Sequence, residues 1–163
     1  MYVDFQQMPS QARVWIYQAN RKMDGQELEL AKQKLERFCA QWNTHGTQMP
    51  TSFEVRYDQV VILAVDESGL GASGCSIDSS VRTLRELEEA LQIDLLDQGK
   101  LSFFKSDNQL EVLPFSRIKS QVGNGTIQSD TLILNPTVLR KSDLESNWLI
   151  KAKDSWLHKF MNN

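Results

Sequence analysis

Residues 60–91 read VVILAVDESGLGASGCSIDSSVRTLRELEEAL, and the fold turns on how that stretch is divided. Its first six residues, 60–65, are apolar without interruption, the pattern of a strand buried on both faces. A turn rich in glycine and serine follows. Ile77, Val81, Leu84, Leu87 and Leu91 then recur at the spacing of one helical face, while Arg82, Arg85, Glu86 and Glu89 fall away from it, with Arg85 and Glu89 an i,i+4 pair. A helix is expected over 79–91, so the stretch is strand, loop, helix.

Immediately upstream, residues 52–57 (SFEVRY) alternate Phe53, Val55 and Tyr57 against Glu54 and Arg56. Only Asp58 and Gln59 separate them from the apolar strand, which predicts a hairpin. Further back, Asp24 offers an N-cap with Glu27 three residues on, and Leu28, Ala31, Leu35, Phe38, Cys39 and Trp42 recur helically, so a helix is expected over 25–43. Residues 45–50 read as its connection to the hairpin. Before it, residues 12–18 (ARVWIYQ) form a strand whose face of Arg13, Trp15 and Tyr17 packs under a helix.

Downstream, residues 101–105 (LSFFK) and 109–113 (QLEVL) form a second hairpin around Ser106, Asp107 and Asn108. A short helix over 114–122 opens at Pro114 and closes at Gly123-Asn124-Gly125. Residues 131–135 (TLILN) are a last strand, stopped by Pro136. Ser142 and Glu145 form a capping box, and the stripe of Leu144, Trp148, Ala152, Trp156 and Phe160 predicts a long helix over 143–161.

The fold class is therefore α+β, a mostly antiparallel sheet with helices packed on one face. The first six elements, β-α-β-β-α-β, fit a ferredoxin-like core, to which a C-terminal hairpin, strand and long helix are added. At 163 residues, with no internal repeat or low-complexity linker, one globular domain over 1–163 is expected.

Composition narrows the function. The 18 Lys/Arg are spread among 21 Asp/Glu, with no basic cluster to track a phosphate backbone, so no nucleic acid partner is expected. No apolar run exceeds 60–65, and MYVDFQQMPSQARVW lacks the basic and apolar regions of a signal peptide, so neither membrane span nor leader is expected. Two cysteines make no disulfide framework, which points to a reducing, cytoplasmic setting.

The only concentrated chemistry lies in 66–80 and just beyond it, where Asp66, Glu67, Ser68, Ser73, Cys75, Ser76, Asp78 and Arg82 are the candidate ligand-binding residues. Asp66-Glu67 at a strand end has the form of a magnesium-binding Asp and catalytic Glu in nucleotide hydrolases. That chemistry also needs a loop with Gly-Lys-Ser/Thr to hold the β/γ-phosphates, and none is present. Gly69 to Gly74 fits G-x-G-x-x-G, but a dinucleotide site needs a parallel βαβ unit with an acidic residue closing the next strand, and 101–105 closes on Lys105. The glycines are read as a tight surface turn. A similar Asp-Glu-x-Gly-x-Gly segment in ribonucleases of the HII type has a basic residue where this chain has Leu70. No cofactor and no metal are expected.

Cys75 is the candidate nucleophile, since the free amides at a helix start favour a thiolate; Asp78 opposes this, and the base would be His45 or His158. Against that stands a small side chain filling a turn contact. Ser76, Asp78, Ser79 and Ser80 are read as caps. Cys39, on an apolar helix face, is a core residue.

MYVDFQQMP, ARVWIYQANR, SFEVRYDQVVILAVDES, ASGCSIDSSVR and the closing Ser-Trp-Leu-x-x-Phe resemble a family of small uncharacterised cytoplasmic proteins of Bacteroidetes bacteria, many of which carry the label "ABC transporter ATPase". The resemblance covers nearly the whole chain and implies a single soluble domain. It brings no substrate, cofactor or catalytic residue to carry onto positions here.

Two functions follow from these residues. One is a non-enzymatic module that binds a small ligand or a protein partner through 66–80, with a homodimer compatible with an uncovered sheet. The other is a small enzyme using Cys75, or an Asp66/Glu67/Asp78 carboxylate cluster with a divalent metal.

Overall fold

The computed structural model describes residues 1–69, 71–105 and 109–161. The fold is α+β with antiparallel sheets, as expected. The chain forms two compact units, the first comprising 1–96 and 139–142, the second 97–138 and 143–163. No proline, glycine or charge run marks the break after Leu96.

The first unit carries β1 (Arg13–Gln18), α1 (Gly25–Gln41), the short strands β2 (Asn43–Thr44) and β3 (Thr47–Gln48), β4 (Thr51–Arg56), β5 (Val60–Val65) and α2 (Gly74–Leu91). Its main sheet has the order β1-β5-β4, antiparallel throughout. All six residues of β5 are buried, which is why its sequence shows no alternation. Val61, Leu63 and Val65 meet Tyr17 from β1, Leu35 from α1, and Leu84, Leu87 and Leu91 from α2. Trp15, Phe53 and Val55 pack on the same core. The β4–β5 turn is set by Tyr57 and Asp58, both left-handed at φ 57° and 55°, so it sits one residue earlier than Asp58-Gln59. Consecutive left-handed residues match the twist of the flanking strands.

The Asp24–Glu27 capping box opens α1 as the sequence predicts. α2 begins five residues earlier than expected, because Ser73 is the N-cap and accepts from the Ser76 amide. Ser76, Asp78, Ser79 and Ser80 are thus inside the helix rather than caps. Its buried face runs Ser76, Ser80, Leu84, Leu87 and Leu91, with Ile77 and Val81 half-buried beside it.

The ferredoxin-like arrangement stops at its fifth element. β6 (Lys100–Phe104) pairs with β7 (Leu110–Pro114) and β8 (Leu132–Leu134), not with β1. The hairpin partner is close in sequence, and loop closure favours it. Along the outer edge of β1, the Val14 amide donates to the Leu139 carbonyl at 3.0 Å and Arg13 bridges Arg140. The turn at 106–108 lies outside the described residues.

The second unit's sheet has the order β7-β6-β8-β9, with β9 at Leu149–Lys151. Leu101, Phe103, Leu113, Ile118, Ile127, Ile133, Ala152 and Leu157 form its core. Pro114 ends β7 and caps a 3-10 turn, Phe115–Arg117, that leads into α3 (Ile118–Gly123). The long helix over 143–161 is absent. In its place stand α4 (Lys141–Ser146), β9 and two 3-10 helices, Ala152–Asp154 and Trp156–Phe160. Ser142 lies within α4, so it does not open a capping box. The spacing of four through Trp148 and Ala152 is also a spacing of two through Ile150. Pairing with β8 selects the second reading, and the Asn135 amide holds the Trp148 carbonyl at 2.6 Å.

Candidate functional site

Three elements of the first unit meet around a cleft of about 550 Å³: the end of α1, the β2–β3 hairpin and the first half of α2. α1 stops at Trp42, whose backbone turns extended. The Trp42 ring is buried, 4.8 Å from Phe38 and 6.0 Å from Trp15. His45 and Gly46 make the hairpin turn at φ 49° and 75°, the two-residue form that glycine and asparagine prefer. His45 is the unusual choice, a side chain held in the left-handed region at the lip of a cleft. The Asn43 side chain steadies it, accepting from the Gly46 amide at 3.2 Å.

Thr44 joins the hairpin to α2. It is fully buried, and its hydroxyl accepts from the Ser73 amide at 3.1 Å. Ser73 caps the helix through the Ser76 amide at 3.2 Å. The later hydroxyls are turned back on the backbone: Ser76 donates to the Ser73 carbonyl at 2.8 Å, Ser79 to Cys75 at 3.0 Å and Thr83 to Ser79 at 3.1 Å. Side chains bonded this way are held in one rotamer.

The cleft is lined by Ser73, Cys75, Ser76 and Arg82 of the candidate residues, together with Trp42 and His45. Cys75 is exposed. Glu86, also on the wall, is ion-paired with Lys34 at 2.8 Å, which lowers its carboxyl from the usual range. Arg82, one turn before Glu86 on the same wall, also helps to lower the Glu86 carboxyl.

Asp66, Glu67 and Ser68 are elsewhere. They border a separate cleft of about 400 Å³ with Pro9, Gln11 and Arg140. Asp66 accepts from the Ser68 amide at 2.9 Å, and the Ser68 hydrogen bonds hold its carboxyl below the usual range. Glu67 accepts from the Ala72 amide at 3.1 Å and from Arg13 at 3.5 Å, while Arg13 lies 4.5 Å over the Trp15 ring. Both carboxylates therefore brace the loop. Arg56 pairs with Glu54 at the opposite end of the hairpin, since it faces Val60 whereas Thr51 faces Val65.

Asp78 is exposed on α2 and lines neither cleft. The proposed Asp66/Glu67/Asp78 cluster is thus corrected: among the described residues no group of three His, Cys, Asp or Glu side chains is placed to hold a metal ion. β5 and its neighbours are antiparallel and β6 lies in another sheet, which also rules out the parallel βαβ unit of a dinucleotide fold. Cβ atoms at Gly69 and Gly74 would meet nothing within 4 Å, so no close approach demands glycine there; Leu70 lies outside the described residues.

His158 belongs to the second unit, in the 3-10 helix Trp156–Phe160. Residues the sequence did not mark as functional are Trp42, read there only as part of the α1 stripe, and Asn43 and Thr44. The signal was present in Thr44-His45-Gly46-Thr47, a glycine-containing pair between β-branched residues. Among the described residues no helix is long and apolar enough to cross a membrane. The chain matches no protein-family model, no curated protein and no solved structure.

Proposed function

We propose that the protein is a cytoplasmic ligand-binding module rather than an enzyme, and that its site is the cleft between the β2–β3 hairpin, the end of α1 and the start of α2. The observation that carries this reading is the meeting of Ser73, Cys75, Ser76 and Arg82 with Trp42 and His45 around one opening. Its volume falls within the roughly 300–1,000 Å³ of small-molecule sites. Helix geometry leaves the Gly74 and Cys75 amides without acceptors in α2, and Arg82 adds a cation on the same wall. A small metabolite with a carboxylate or phosphate toward α2 and an apolar portion toward Phe38 suits these walls.

A thermal-shift screen against carboxylated and phosphorylated metabolites tests it, with Arg82→Ala, Ser73→Ala and Asp66→Ala in parallel. A compound that stabilises the wild type should lose its effect in Arg82→Ala. Loss in Asp66→Ala alone would move the site to the other cleft, and a screen with no shift would end this reading.

One observation favours a second reading: the exposed Cys75 shares its cleft with His45. In that reading the Cys75 sulfur adds to a carbonyl carbon of the substrate, the C=O π pair moves onto the carbonyl oxygen, and the His45 imidazole takes the thiol proton. Iodoacetamide labelling of Cys75 in wild type and His45→Ala distinguishes the two. Equal rates would remove His45 from the chemistry.

A further inference from the structure

We propose that β4 pairs with β4 of a second copy of this chain, antiparallel and about a two-fold axis through Val55. Along a strand, the amide and carbonyl groups of alternate residues point to opposite edges. Those of Thr51 point away from β5: its amide donates to the Met1 carbonyl at 2.9 Å, and its carbonyl accepts from the Val3 amide at 2.8 Å. By the period of two, the groups of Phe53 and Val55 share that outer edge. β4 is the last strand of its sheet, and among the described residues no strand pairs along 53–56 on that side.

An open edge is a template for another strand. What selects a second copy is the sequence at the open end of the strand, Glu54-Val55-Arg56. Laid antiparallel on itself about Val55, it sets Glu54 opposite Arg56 of the second copy and Arg56 opposite its Glu54. Val55 faces itself with outward-pointing amide and carbonyl, as a hydrogen-bonded antiparallel pair requires. Opposite charges across strands are a favourable combination. Every contact occurs twice, as a two-fold interface demands.

The groups that would make these contacts are already held in place. Glu54 and Arg56 pair at 2.9 Å within one chain, both side chains only partly exposed. Pairing would run one sheet through both copies. The strand is short, so the association is expected in the micromolar to millimolar range rather than tighter.

The test is sedimentation or light scattering over that concentration range. Wild type should pass from the 18.7 kDa of one chain to twice that mass. Glu54→Arg sets Arg against Arg, and Arg56→Glu sets Glu against Glu, so each alone should stay monomeric. Mixed in equal amounts, the two should dimerise, because each supplies the charge the other lacks. Circular dichroism checks that both are folded. Should either fail to fold, Val55→Pro replaces it: proline is tolerated on a free edge but removes the amide that the central pair exchanges, and this variant should be monomeric. A wild type that stays monomeric throughout overturns the proposal, as does a dimer that the single variants keep or a mixture that does not associate. None of these outcomes depends on the ligand cleft.

Discussion

The Trp42 indole donates its Nε1 hydrogen to the carbonyl oxygen of Ser76 across 2.8 Å in the protein interior. This one bond ties the end of α1 to the first turn of α2, and the cleft lies between them. Trp42→Phe keeps an aromatic ring but leaves that carbonyl without its donor. It is expected to cost about 1–3 kcal/mol, read as a lower urea midpoint, and to speed amide exchange over 73–76. An unchanged midpoint would mean that packing alone fixes the start of α2.

The two cysteines should behave as opposites. Burial pushes the Cys39 thiol up to about 12, whereas Cys75 is exposed. Iodoacetamide under native conditions should label Cys75 and spare Cys39 until the chain is unfolded, as peptide mass spectrometry would show. Labelling of native Cys39 would indicate local opening of α1.

The same burial has a thermodynamic consequence at alkaline pH. The folded state holds the Cys39 proton more tightly than the unfolded chain, so this contribution to stability is complete below the ordinary value of 9.0 and is lost as pH rises toward about 12. Tyr17, raised by burial, acts with the same sign above 10.0. Cys39→Ala should make stability fall less steeply with pH above 9, measured by urea unfolding at several pH values.

At the acid end the sign reverses. Arg21, at 2.7 Å, and the Asp24 amide lower the Glu27 carboxyl from 4.5 to about 2. Its contribution is present above 4.5 and is lost as pH falls through about 2. Glu27→Gln should flatten stability across that window. Asp24→Ala removes the cap itself and should cost about 1 kcal/mol at neutral pH.

Tyr57 occupies the left-handed region beside Asp58, where asparagine is at ease and an aromatic residue is strained by about 1–2 kcal/mol. Tyr57→Asn should therefore raise the melting temperature, measured at a dilution where the chain is monomeric. A lower melting temperature would mean that ring contacts outweigh the strain relieved.

Most elements of the first unit could be read from the sequence because one period explained each of them. The uninterrupted 60–65 run had to be buried on both sides, and Asp24 with Glu27 marked the start of α1. The start of α2 was missed because Ser73, Ser76, Ser79 and Ser80 all suit a cap, and only the fold shows which one precedes the helix. After Leu144 the periods of two and four coincide at Trp148 and Ala152, so strand and helix were equally written there. The candidate residues lie within seventeen positions of one another, yet they face two different clefts. What α2 is set against, the His45 hairpin, comes from a segment about thirty residues away that carries no apolar pattern.

The first unit is not contiguous, since it takes back residues 139–142 after the chain has built most of the second. On the ribosome, residues 1–96 therefore emerge without the Leu139 carbonyl that receives the Val14 amide, and without Lys141, whose amino group reaches the Met8 carbonyl at 2.6 Å. At roughly 5–20 residues per second, the nascent chain spends several seconds with that strand edge bare. A stop codon or a protease cut placed between the units would yield a fragment with its β1 edge unprotected. Arrival of residues 139–142, rather than synthesis of the first hundred residues, is when the β1 edge of this unit is covered.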